Sequence, residues 1–126
     1  MPDDVKGLVC HDENEAITGL VTWITDGDFS EIVTLDALVR GKGHGSRLLS
    51  AAEAKIAEAG ARTVRVLTTN DNVKALGFYL KRGYRLKRIH HDAMERVRER
   101  KPGIPLIGEH NIPLTDMLEL TKRLTK

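Results

Sequence analysis

The stretch "VRGKGHGSRLL", Val39 to Leu49, constrains this chain more than any other. Upstream of it, "EIVTLDALV" is β-branched and apolar enough to read as a strand inside a sheet. Downstream, Leu48, Leu49, Ala52 and Ile56 recur at the spacing of one helix face, with Arg47, Glu53, Lys55 and Glu58 on the other. Between the two patterns Gly41, Gly43 and Gly45 alternate. A strand that turns through bare backbone into a helix aims several N–H groups at one point, and the helix dipole adds positive potential there. Glycine suits such a loop because a Cβ would hold an anion off the backbone and because positive φ is often needed. Arg40, Lys42 and Arg47 add full charge, so phosphate oxygens are the expected guests.

The remaining segments build a sheet around that loop. Val5–Cys10 and Ala16–Thr25 read as antiparallel strands joined by the polar "HDENE", with "DGDFS" as the next turn. After the first helix, Gly60 stands where a C-cap belongs, and "RTVRVLTT" alternates like a strand. "NDNVKALGFYLKRG" has polar capping residues, a helical spread of Val73, Leu76 and Leu80, and Gly83 as terminator. "YRLKRIH" predicts a strand and "DAMERVRER" a short charged helix. "KPGIPLIGEHNIPLTD" is too rich in proline and glycine for either state and predicts an ordered loop, and "MLELTKRL" predicts a closing strand. The sum is an α/β fold: a mixed, mostly antiparallel central sheet flanked by helices. At 126 residues, a single domain over 1–126 is expected.

Composition narrows the function classes. The formal charge is only +2, with both signs mixed along most of the chain, so nothing calls for nucleic acid or a membrane surface. Cys10 is the only cysteine, which excludes an internal disulfide framework and a thiolate zinc cluster and fits a reducing, cytoplasmic setting. The first residues lack the charged and apolar regions of an export signal.

Three phosphate-binding patterns compete for the glycine loop. A P-loop needs Gly-Lys-Ser/Thr after four residues, whereas Gly45 is followed by Ser46 and Arg47. A dinucleotide fingerprint needs G-x-G-x-x-G after a parallel βαβ start, whereas this loop is G-x-G-x-G after a hairpin. The third pattern is a family likeness. "RGKGHG" resembles the Arg/Gln-x-x-Gly-x-Gly/Ala pyrophosphate loop of the GCN5-related N-acetyltransferases, the GNAT superfamily, through Arg40, Gly43 and Gly45. "NDNVKALGFYLKRGY" resembles that family's Asn-x-x-Ala-x-x-Phe-Tyr-x-x-x-Gly-Phe/Tyr segment through Asn72, Ala75, Phe78, Tyr79, Gly83 and Tyr84. The likeness runs from about Val5 to Leu124, and "KPGIPLIGEHNIPLTDMLEL" resembles the end of small bacterial members. Family members usually open with a strand and one or two helices that help form the acceptor site. This chain is expected to start at the family's second strand, shortened by roughly 30–40 residues.

The resemblance implies an acetyl-CoA-dependent N-acetyltransferase. It puts the pyrophosphate on the loop Arg40, Gly41, Lys42, Gly43, His44, Gly45 and Ser46, and the pantetheine arm along the third strand near Val33 and Leu35. A backbone N–H near Leu35 would stabilise the developing oxyanion, a contribution of typically ~3 kcal/mol. The amine attacks directly, without an acyl-enzyme; in keeping with that, no G-x-S-x-G elbow is present. Tyr79 takes the family's position for protonating the departing thiolate, and phenol and thiol pKa values, about 10 and about 8.5, suit that transfer. Asn72 would bond the arm or a bridging water, and Phe78 would pack beside it. For the base, Glu31, Asp36 and a water relay remain open.

Two other stretches invite function. "KRGYRLKR" is a strand with basic residues on its solvent face rather than an RNA contact. His90, His91 and Asp92 make no metal site, because adjacent strand residues point to opposite faces and no spaced partner completes a set. Trp23 belongs either to the hairpin core or to a surface that a partner covers. The expected partners are a small-molecule or peptide amine acceptor and a second copy of the chain in a homodimer, since an incomplete sheet exposes an edge. The alternative from another class is a noncatalytic acyl-CoA-binding or dimerising module.

Overall fold

The computed structural model describes residues 5–37 and 43–124. Two strands, β1 (Lys6–His11) and β2 (Ile17–Asp26), form the expected hairpin, and β3 (Phe29–Ala37) follows after the turn at Gly27, whose φ is 62°. The turn is shorter than "DGDFS" suggests, because Phe29 and Ser30 already pair with Asp26 and Thr25. Helix α1 (His44–Glu58) is followed by β4 (Thr63–Thr69), α2 (Val73–Lys81), β5 (Arg85–His90), α3 (Ala93–Arg100) and β6 (Met117–Arg123). The strands make one six-stranded sheet in the order β1-β2-β3-β4-β6-β5, with β1/β2, β2/β3 and β5/β6 antiparallel. The predicted α/β class and the closing strand are both observed.

The chain divides into two compact units, the boundary falling within β4 after Arg65. In the first, Leu48, Leu49, Ala52 and Ile56 of α1 are all buried, as their spacing predicts. Full burial of a leucine or isoleucine stabilises by roughly 1.5–3 kcal/mol, so this stripe fixes α1 on its sheet. Gly19 on β2 allows the helix to come close: a Cβ there would lie 2.8 Å from Leu48 Cδ1 and 3.1 Å from Asp36 O. Val21, Trp23, Ile32 and Val64 complete this core, which settles Trp23 as a core residue. Gly60 is one residue beyond the expected C-cap: Ala59 caps α1, and Gly60 supplies the left-handed turn at φ 100°.

In the second unit Val66, Tyr79, Tyr84, Met94, Leu114 and Leu120 are buried. Here one sequence expectation is corrected. Val73 and Leu80, read as the apolar face of α2, are 49% and 44% exposed, and the buried side chain of that helix is Tyr79. The long loop is ordered, with a 3-10 turn at Glu109–Asn111 and an antiparallel bridge between Ile107 and Pro113.

Filling the space at Gly19 should lever α1 from its sheet. Gly19→Val is expected to cost about 1–3 kcal/mol, the range for overpacking a filled core, read as a lower urea midpoint at unchanged slope.

Candidate active site

The glycine loop enters α1 through Gly43, which is the N-cap in left-handed conformation at φ 74° and ψ 13°. Among the described residues nothing lies within 4 Å of the point its Cβ would occupy. The N-cap residue, being glycine, has no side chain to cap the helix, and the first turn holds no acidic residue. The first intrahelical bond runs from Arg47 N–H to Gly43 O at 3.1 Å, so His44 and Gly45 lie in the turn whose amides have no intrahelical acceptor. Nδ1 of His44 is buried and has no hydrogen-bond partner among the described residues. An uncapped, acid-free helix start behind an open glycine has the electrostatics of an anion seat. Arg40, Gly41 and Lys42 lie outside the described residues, while Gly43 is the N-cap of α1 and His44, Gly45 and Ser46 open its first turn.

On β3, pairing with β2 passes from Thr22 opposite Thr34 to Trp23 opposite Ile32. Val33 is therefore the extra residue of a bulge, and it is 54% exposed. Bulges redirect the local backbone and recur beside functional sites. Alternation alone did not reveal this one. Leu35 pairs with Val21, and Asp36 is exposed. Glu31 accepts a 3.0 Å hydrogen bond from Arg65 Nε and a second from Arg65 Nη2, so its carboxylate is already engaged by a guanidinium that also lies over the Phe29 ring.

In the second unit Asn72 is the N-cap of α2, its Oδ1 accepting from Ala75 N–H at 3.1 Å. Tyr79 lies edge-on to both Phe78, 5.2 Å away between ring centroids, and Tyr84, at 5.4 Å. Arg82 lies over the Phe78 ring at 3.7 Å and donates to Phe78 O at 2.9 Å, so Phe78 is half-buried under a cation. Tyr79 is thus a packed residue whatever its hydroxyl does. His90 Nε2 meets Glu119 Oε1 at 3.0 Å. Among the described residues no group of three or more His, Cys, Asp or Glu is arranged to hold a metal ion.

Sequence reading missed Asp71, which is 6% exposed and accepts from Glu109 N–H at 2.9 Å. Burial alone would raise its pKa. The Thr69 hydroxyl, the Glu109 and Asp71 N–H groups and the charge of His110 outweigh burial, so the carboxyl is held below its ordinary 3.8.

Residues 3–86 match the acetyltransferase (GNAT) domain. The uncharacterized protein YxbD of Bacillus subtilis (strain 168) is 42% identical over 122 residues, which span 97% of this chain and 77% of that one. The chain belongs to the GNAT acetyltransferase family. Its fold superposes on the IAA acetyltransferase from Bacillus cereus ATCC 14579 with a TM-score of 0.77 and 27% identity, over 90% of this chain and 74% of that one. A Bacillus subtilis acetyltransferase solved in complex with CoA gives a TM-score of 0.77 and 28% identity, over 88% and 72%. No helix among the described residues is long and apolar enough to cross a membrane.

Because folding lowers the pKa of Asp71, its ionised form stabilises the fold throughout the range above about 4. That contribution is lost as pH falls through the lower folded-state value. Asp71→Asn is therefore expected to be less stable than the parent at pH 6, with the gap closing toward pH 2 in urea unfolding series.

Proposed function

We propose that this chain transfers an acetyl group from acetyl-CoA to a primary amine, by direct attack while both substrates are bound. The observation that carries the reading is the start of α1: a left-handed glycine with open space above it among the described residues, no side chain of its own to cap the helix, and no acid in the first turn. Those features fit a pyrophosphate, and membership of the family supports acetyl transfer.

In this reading the amides of the Gly43–Ser46 turn hold the pyrophosphate, joined by Arg40 and Lys42. The bulged strand at Val33 and Leu35 receives the pantetheine arm. Asn72 holds the arm through a direct bond or a water, beside Phe78. Tyr79 gives its phenolic proton to the departing thiolate, leaving free CoA. A water relay takes the proton from the amine; Asp36 is the exposed carboxylate available to it, while Glu31 is engaged by Arg65. The protein is proposed to work in the cytoplasm as a homodimer. The strands at the sheet ends, β1 and β5, carry exposed Val9, Leu86 and Ile89, which a second copy would cover.

Titration calorimetry with acetyl-CoA should show binding to the parent and none to Gly43→Glu, which puts a negative charge and a Cβ into the open space. Thiol release should appear when amines from a panel of polyamines, lysine peptides and aminoglycosides are added. Tyr79→Phe should slow that release about 100-fold with acetyl-CoA affinity within threefold. Binding without release for any amine would favour the noncatalytic module. Light scattering should return twice the 14.0 kDa chain mass.

A further inference from the structure

Helix α2 has nine residues, too few to persist on its own hydrogen bonds, and Tyr79 is the one buried side chain it contributes among the described residues. Such a helix depends on its ends. At the far end Tyr79 O accepts from the N–H groups of Arg82 and Tyr84. At the near end, three consecutive residues between β4 and α2 each make a different attachment. Asn72 caps the helix. Asn70 Oδ1 accepts from the N–H groups of Thr115 and Asp116, both at 3.0 Å, and its Nδ2 donates to Pro113 O at 2.9 Å. Asp71 Oδ2 accepts from Glu109 N–H.

The Asp71 attachment is built closely. A Cβ on Gly108 would lie 2.6 Å from the Asp71 carboxyl carbon and 3.0 Å from its Cβ. Gly108 has φ −97° and ψ −150°, an extended backbone open to any residue, so the close approach and not the conformation demands glycine. The loop is braced on its other side as well. Gly108 N–H donates to Ile112 O and Leu114 N–H to Leu106 O, each at 2.8 Å. The Arg98 guanidinium reaches both Pro105 O and Leu114 O. His110 and Asn111 hold positive φ without being glycine, a conformation that persists where the surroundings impose it. The loop is therefore pinned at several points.

We propose that Asp71 is a positioning residue for acetyl transfer: its buried carboxylate, with Gly108 seated against it, locks the 108–116 loop onto the start of α2 and so fixes where that helix holds the Tyr79 phenol. This rests on the reading of Tyr79 as proton donor. Asp71 touches no substrate and acts through Asn72 and the helix that Asn72 caps.

The test uses the full chain. Amide exchange followed by NMR should show Glu109 and Ala75 exchanging together, at least tenfold faster in Asp71→Ala than in the parent. Asp71→Asn keeps an acceptor oxygen at the same reach and should bring both amides back to within threefold. Gly108→Ala strikes the same contact from the other side and should loosen the same pair, which keeps the proposal testable if Asp71→Ala does not fold. Thiol release from acetyl-CoA, with water as acceptor, should fall about tenfold in Asp71→Ala while acetyl-CoA affinity stays within threefold. In a Tyr79→Phe background it should fall no further. Fast exchange at Glu109 with Ala75 unchanged, or losses that multiply in the Tyr79→Phe background, would overturn the proposal. A Tyr79→Phe variant that alone releases thiol at the parent rate would instead remove the proton-donor reading, and the exchange data would still decide whether Asp71 sets α2.

Discussion

Much in the first unit depends on how closely Leu48 approaches β2. The absent side chain at Gly19 lets the leucine settle against the sheet, and the stripe of Leu49, Ala52 and Ile56 then follows the same face. Because α1 is rigid from its first turn onward, that contact also decides where its uncapped N-terminus stands. The helix start proposed to hold the anion is thus placed by core packing four residues away. A glycine on a strand and a glycine at a helix start serve one purpose from opposite ends, the first through closeness and the second through conformation.

The second unit solves a different problem. A short helix with little apolar face must be held in place, and it is held by polar attachments at both ends. Asn70, Asp71 and Asn72 divide that work, binding loop on one side and helix on the other. Buried carboxylates of this kind are costly unless satisfied, and Asp71 Oδ2 is satisfied by Glu109 N–H while Oδ1 is buried with no hydrogen-bond partner among the described residues. Polar satisfaction here contributes to geometry more than hydrophobic burial does.

What was legible in the sequence follows from which signals are local. The α1 stripe and the left-handed glycines at 60 and 83 depend on neighbouring residues alone, and the structure shows each within a residue of its expected place. The polar residues before α2 read as caps, and Asn72 among them is the one that caps it, because a cap is a four-residue motif. The errors fell where long-range packing decides. Val73 and Leu80 looked apolar and helical, yet whether they meet a core depends on elements distant in sequence. The Val33 bulge arises from a register shift that no strand carries in its own alternation. Asp71 stood only among the polar capping residues before α2, because the glycine that closes on it lies 37 residues further on.

The distribution of aromatic rings has a practical consequence. The single tryptophan, Trp23, is buried in the first unit, and both tyrosines, Tyr79 and Tyr84, are buried in the second. The chain therefore carries a separate optical reporter for each half. Indole emission follows the core that places the glycine loop, and tyrosine near-ultraviolet dichroism follows the core that holds α2, so native spectroscopy can watch one half loosen while the other stays intact.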